Sequence, residues 1–279
     1  MHLLQAILMG IVQGLSEFLP ISSSGHLVFT SNFYKVFKGI NITQPSSQEV
    51  FLDIMLHLGT LVAVLIFFRK EIWEICKSLY FGLKNKSYDD MNFKLGIYII
   101  FGTFITIFVA YPLRDICAKL VFLPATVGLL LIFTGSLLLF SEYYSSKHPE
   151  KRPVTLISSI FIGLAQGLAA LPGFSRSGLT IATGLLSGVD RVNAARYSFL
   201  LSIPIILGAS MIYPILEIDF NEIVTYNWTA IIVGTVVSAI VGYFCIKYFI
   251  KFVQKFSLGF FGYYCIIMGI TAFVFFRGA

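Results

Sequence analysis

Apolar residues along this chain run in long blocks separated by short polar stretches. Six blocks, 50–68, 93–112, 122–141, 195–216, 228–249 and 257–276, are long enough to cross a bilayer as helices, which takes about 20 residues each. Four further apolar pieces, 3–19, 24–34, 154–171 and 178–187, are short or are broken by clusters of Pro, Gly and Ser. They pair into helix–break–helix units over 3–34 and 154–187, with breaks around 20–25 and 172–178. Broken backbone at membrane depth survives only where protein or a wet cavity satisfies its polar groups. Both units therefore read as re-entrant hairpins that enter and leave on one face. The expected fold is an all-α integral membrane protein with six transmembrane helices and two re-entrant helix-loop-helix hairpins.

The two broken units resemble each other. Gly10-Ile-Val-Gln13-Gly14-Leu15 lies over Gly163-Leu-Ala-Gln166-Gly167-Leu168 at an offset of 153 residues. Without a gap, the same offset pairs Ser22 with Ser175, Ser24 with Ser177 and Gly25 with Gly178. Chance explains this poorly, because the matches fall on Gly, Gln and Ser and not on Leu and Ile. Residues 1–145 form the first repeat and 154–279 the second, each holding one hairpin and three spans. Three is odd, so the second repeat must be inverted relative to the first. Both Gly pairs are G-x-x-x-G, which close helix packing explains fully.

Charge sets the orientation. Of the 20 Lys and Arg, fourteen fall in the connections 69–94 and 142–153 or at Arg191, Arg196, Lys247, Lys251 and Lys255, which this topology puts on one side. Five (Lys35, Lys38, Arg114, Lys119 and Arg277) fall on the other, whose 217–222 loop is acidic, and Arg176 lies inside the second hairpin. Basic loops stay in the cytoplasm. The termini then face outward, and the two broken tips meet near the midplane, as in inverted-repeat transporters.

Composition narrows the function classes. The chain is 57% hydrophobic and 12% charged, against about 45–50% and about 25% in soluble domains. A soluble monomer, a nucleic-acid-binding protein and a disordered chain are excluded. The four cysteines, at 76, 117, 245 and 265, form no C-x-x-C pair and cluster with no His, so no disulfide framework or metal site is expected from them. The N-terminal apolar run has no basic n-region and carries Gln13 and Glu17, so it is expected to be retained.

Ionisable groups within the membrane are costly and usually functional. Those expected at depth are Glu17, His26, Asp53, His57 and Arg176; Lys94, Arg196 and Lys247 sit at span ends and can snorkel. Gln13 and Glu17 share a helical face one turn before the break. Ser22-Ser23-Ser24-Gly25-His26 and Gly173-Phe174-Ser175-Arg176-Ser177-Gly178 each offer hydroxyls and the free N–H groups of a helix start, which is an anion cradle. Arg176 needs an anionic partner, and its fork fits phosphate; a structural pair with Glu17 or Asp53 is the competing reading. Thr180, four residues on, adds a hydroxyl. Imidazole beside a phosphate, here His26, can move a proton or attack phosphorus. Asp53 and His57, also four apart, are second-tier candidates that either orient His26, carry a proton, or form a buried structural pair. The inventory is one for phosphoryl chemistry on a lipid-borne anion. No P-loop, H-E-x-x-H or G-x-S-x-G is present.

At these residues the chain resembles the undecaprenyl-diphosphate phosphatases linked to bacitracin resistance, over essentially its whole length. Gln13-Gly-Leu-Ser-Glu17-Phe-Leu-Pro20-Ile-Ser22-Ser23-Ser24-Gly25-His26 is similar to the family's (E/Q)-x-x-x-E and P-x-S-S-x-G-H. Pro172-Gly173-Phe174-Ser175-Arg176-Ser177-Gly178-Leu179-Thr180 is similar to P-G-x-S-R-S-x-x-T, and Phe51-Leu-Asp53-Ile-Met-Leu-His57-Leu-Gly59-Thr60 also resembles the family. A rival membrane phosphatase pattern, S-R-x5-H, fails because residue 182 is Ala. The resemblance implies dephosphorylation of undecaprenyl diphosphate to undecaprenyl phosphate and inorganic phosphate, which recycles the lipid carrier for cell-wall synthesis and gives bacitracin resistance, at the outer face of the bacterial inner membrane and dependent on Mg²⁺ or Ca²⁺. On this reading Glu17, His26, Ser23 and Arg176 are catalytic. Ser22, Ser24, Gly25, Gly173, Ser175, Arg176, Ser177 and Thr180 bind the phosphates, and Glu17 with Gln13 holds the metal or Glu17 acts as base. His26 is the preferred nucleophile, because a hydroxyl such as Ser23 needs a separate base. The partners expected are the lipid substrate, the bilayer and a second copy in a homodimer, with no nucleic acid. The alternative is a flippase for undecaprenyl phosphate, since broken helices at the midplane are also a transporter plan.

Overall fold

The computed structural model describes residues 3–37, 47–148, 150–217 and 223–277. The Lys38 and 218–222 parts of the charge argument lie outside them. The described residues fold into α-helices: α1 (Leu3–Ser16), α2 (Ser23–Phe37), α3 (Ser47–Phe67), α4 (Arg69–Asn85), α5 (Met91–Leu120), α6 (Pro124–Lys147), α7 (Leu156–Leu168), α8 (Arg176–Leu186), α9 (Arg191–Glu217), α10 (Trp228–Lys255) and α11 (Gly259–Phe276). Among them there is no strand, only an isolated bridge between Arg152 and Val189. Six helices, α3, α5, α6, α9, α10 and α11, are long and apolar enough to cross a membrane. The protein is a multi-pass, all-α membrane protein.

Two boundaries differ from the sequence reading. Residues 69–94, treated above as a connection, contain α4, whose apolar positions are too few for a span but recur at helical spacing. The second span does not end at Pro112: α5 runs through it to Leu120, because a membrane helix tolerates proline where neighbours satisfy the freed carbonyl.

The two short apolar helices pack in matching ways. α1 lies on α10, so close that a Cβ on Gly10 would stand 2.5 Å from the Gly234 carbonyl oxygen. α7 lies on α5 in the same manner, a Cβ on Gly163 falling 2.7 Å from the Gly102 carbonyl oxygen. Each G-x-x-x-G therefore serves close backbone approach. The largest buried cluster gathers Phe18, Phe199, Phe249, Leu138 and Ile181 from five different segments. Phe18 meets Phe199 edge to face at 5.3 Å, which fixes the chain end from which Glu17 projects.

Candidate active site

The breaks between α1 and α2 and between α7 and α8 close against each other. Ser22 Oγ donates to the Phe174 carbonyl at 3.1 Å, and Ser177 Oγ donates to the Leu19 carbonyl at 2.9 Å. Each break ends in a serine N-cap. Ser22 Oγ accepts from Gly25 N–H at 3.1 Å, and Ser175 Oγ accepts from Gly178 N–H at 3.1 Å. Such caps satisfy backbone donors that a helix start leaves without partners. The turns reach these caps through unusual backbone: Ser22 has φ 69° and Gly173 has φ 101°. A Cβ on Gly173 would also strike the Val127 carbonyl at 2.4 Å, so only glycine fits there.

Glu17 is the centre of the site. Its carboxylate is 7% exposed and carries partners on both oxygens. Oε1 accepts from Arg176 Nη2 in a short ion pair. Oε2 accepts from Ser23 Oγ at 2.9 Å and from Gln13 Nε2 at 2.9 Å. His57 Nε2 stands 3.7 Å from the same oxygen. A buried charge needs a partner and hydrogen bonds, and Glu17 has both. Of the partners offered to Arg176 by the sequence, the structure gives it Glu17.

The other predicted residues divide into two groups. Ser23, Ser24, His26 and Arg176 keep part of their surface open. Ser22, Ser175, Ser177 and Thr180 are buried and are spent on the caps, on the stitches between the breaks and, for Thr180, on Ser198 Oγ at 2.6 Å. Gly25 gives its N–H to the cap and Gly173 is packed on α6. These residues shape the cradle from behind.

His26 is held at both ring nitrogens. Nδ1 lies 2.7 Å from the Ser22 carbonyl, which can only accept, so Nδ1 carries the proton. Nε2 lies 2.7 Å from Tyr264 Oη and accepts from it. The two rings stack at 5.7 Å with 5° between their planes. Asp53 and His57 do not orient His26: His57 Nδ1 donates to the Asp53 backbone carbonyl at 2.8 Å and its ring faces Glu17.

Two residues go unnoticed in the sequence. Tyr264 sits in an apolar span 238 residues from its histidine, and nothing in its neighbourhood marks it. Glu142 lies, by sequence, at the start of the 142–153 connection. It is 7% exposed, takes both forks of Arg191 at 2.8 and 2.6 Å and accepts from Leu258 N–H at 3.0 Å. That triad ties α6 to α9 and α11 away from Glu17.

A divalent cation fits the donor set. Gln13 Oε1 and Asp53 Oδ1 are buried oxygens with no hydrogen-bond partner among the described residues, and Gln13 adjoins the Glu17 carboxylate. Both are hard acceptors of the kind Mg²⁺ and Ca²⁺ take. Among the described residues no three His, Cys, Asp or Glu side chains converge as a metal cage. The protein would thus supply few ligands and a phosphate the rest, which is the usual Mg²⁺ pattern.

Known proteins have similar sequences. Residues 6–271 match the model of the family described as bacitracin resistance protein BacA. The undecaprenyl-diphosphatase of Halothermothrix orenii is 40% identical over 270 residues, 97% of this chain and 96% of that one. The undecaprenyl-diphosphatases of Methanobrevibacter smithii and Carboxydothermus hydrogenoformans are 38% and 37% identical, each match covering 98% of this chain and 98% and 97% of theirs. With a match running from α1 to α11 and relatives aligned end to end, the chain belongs to the bacitracin resistance protein BacA family.

Proposed function

We propose that the protein dephosphorylates undecaprenyl diphosphate to undecaprenyl phosphate and inorganic phosphate, the activity its relatives are named for. This returns the lipid carrier to cell-wall synthesis and confers resistance to bacitracin. One observation carries the reading: a buried carboxylate that holds a hydroxyl on one oxygen and a guanidinium on the other, where two capped helix starts meet.

The diphosphate head enters between the breaks. Arg176 turns from Glu17 to the terminal phosphate and grips it by its fork. Ser23 and Ser24 add donors beside the N-termini of α2 and α8, which favour negative charge. Ser23 Oγ attacks the terminal phosphorus while Glu17 Oε2, already its acceptor, takes the proton. The anhydride P–O bond breaks and undecaprenyl phosphate leaves with the proton from Glu17, which restores the carboxylate. Glu17 then takes a proton from water as the water attacks the phosphoseryl phosphorus and passes it to the departing Ser23 Oγ, freeing inorganic phosphate. His26 as the attacking atom fits less well, because both ring nitrogens are engaged; Ser23 has the base a hydroxyl requires. Gln13 and Glu17 would hold a Mg²⁺ or Ca²⁺ ion, which when bound neutralises charge on the diphosphate.

The same reading places the basic side in the cytoplasm of a bacterial inner membrane, the site open to the outer face, and the protein in a homodimer. It takes residues 1–145 and 154–279 as inverted repeats with re-entrant hairpins. The exchange of packing partners supports that: each repeat's first short helix lies on a span of the other, α1 on α10 and α7 on α5.

The test is phosphate release from a polyprenyl diphosphate by purified protein in detergent, with and without EDTA. Turnover that EDTA abolishes and Mg²⁺ or Ca²⁺ restores is expected. No turnover from folded protein would overturn the reading and favour lipid flipping, to be measured next in liposomes.

A further inference from the structure

α4 has two apolar faces, and the protein covers only one. Ile75 and Gly82 are buried, with Ile72 and Leu79 packed beside them. They seat the helix against α5, where a Cβ on Gly82 would meet the Phe93 ring at 2.4 Å and one on Gly96 the Leu79 side chain at 2.8 Å. The opposite face repeats every seven residues. Trp73 and Tyr80 form one row, and Lys70, Lys77 and Lys84 form the next. Trp73 is 70% exposed, Tyr80 61% and the adjoining Leu83 64%. The lysines make no ion pair among the described residues, and Lys84 lies 5.9 Å from the Tyr80 ring. Glu71 is turned inward onto Arg196 at 3.0 Å, which leaves the outer face basic but for Glu74 at its flank.

We propose that α4 lies in the headgroup layer on the basic side of the membrane and binds anionic phospholipid headgroups through Lys70, Lys77 and Lys84. A stripe of aromatic side chains beside a row of lysines is the pattern of a helix resting in an interface. The rings bury in the acyl boundary while the lysine stems reach back to the phosphates. α4 is too polar to span, and an aqueous position would leave most of the Trp73 and Tyr80 surface in water. Charge decides the lipid: three unpaired lysines in a row select an anionic headgroup over a zwitterionic one.

Trp73 reports on its own environment, since the chain has 2 Trp. A Trp228→Phe protein would be reconstituted in equimolar phosphatidylcholine and phosphatidylglycerol, with bromine on the chains of one lipid or the other. Quenching should show brominated phosphatidylglycerol enriched about fivefold around Trp73, one engaged lysine's share. The enrichment should fall at high salt and vanish in Lys70→Gln/Lys77→Gln/Lys84→Gln, whose phosphate release in detergent stays unchanged and shows it folded. Equal quenching by both lipids overturns the anionic selectivity. No quenching by either overturns the interfacial position.

Discussion

Ser22 and Ser175 cap α2 and α8 with the same bond at the same length, 3.1 Å to the N–H three residues on, and each lies 3.4 or 3.3 Å from the hydroxyl two residues on. Around these caps the breaks diverge. At the repeat's offset, Ser23 stands where Arg176 stands, Glu17 where Ala170 stands, and His26 where Leu179 stands. The shared part is what any helix start demands, namely partners for its exposed N–H groups. The divergent part is the first helical residue after each cap, which points into the space between the breaks. Both of these residues end on Glu17, one on each oxygen. Two similarly capped breaks thus present two different groups to the two oxygens of one carboxylate.

The largest effects are expected at that carboxylate. Arg176→Ala, Glu17→Ala and Ser23→Ala should each lower kcat by about 10²–10³-fold or more. The double variant Glu17→Ala/Arg176→Ala should lose less than the product, since the two act as a unit. Phosphate-release kinetics on protein with an unchanged elution profile read both. A folded Arg176→Ala protein with near-normal turnover would remove the site from between the breaks.

The two matched glutamines separate chemistry from scaffold. Gln13 donates to Glu17 at 2.9 Å, whereas Gln166 donates to Thr106 Oγ1 at 3.2 Å and lies near the Leu201 carbonyl. Hydrogen bonds to charged groups are worth about 1.5–3 kcal/mol, so Gln13→Ala should slow turnover by about tenfold or more. Gln166→Ala loses neutral bonds only. It should lower thermal stability by about 1 kcal/mol and leave kcat near normal. Equal activity losses would mean that the two breaks share more than their caps.

Much of this was legible from residues alone. Long apolar blocks have one stable solution in lipid, so the six spans and the two breaks followed from composition and from Pro, Gly and Ser. Polar residues matching at a fixed offset carry the reading of a repeat. Motif spacing put Glu17 and Arg176 on a short list, but only as alternatives, because a one-dimensional pattern does not say which of two acids an arginine meets. It also does not separate a serine that caps from one that reacts: Ser22 and Ser23 look alike in sequence, and only the fold turns one inward and the other onto Glu17. Tyr264 was out of reach, since a tyrosine in an apolar span carries no local mark. α4 carries no span signal, because it is too charged to cross.

The caps themselves should behave alike. Ser22→Ala and Ser175→Ala should each cost about 1 kcal/mol, read as similar falls in the detergent melting temperature; a large inequality would break the likeness on which the comparison rests.

The smallest effect tests the last difference between the breaks, His26 against Leu179. The second break keeps its cap without a ring at that position, so an imidazole is not required to build the turn. Tyr264 Oη donates to Nε2 while Nδ1 donates to the Ser22 carbonyl, so the tyrosine holds the ring's tautomer and its angle to the cradle. Tyr264→Phe removes one neutral hydrogen bond and keeps the stacked ring. Its effect on kcat should be about fivefold at most, with the melting temperature unchanged. In a His26→Ala background the same substitution should add nothing. A Tyr264→Phe protein that loses stability but no activity would instead make His26 a packing residue, as Leu179 is in the other break, and leave Ser23, Glu17 and Arg176 to carry the chemistry alone.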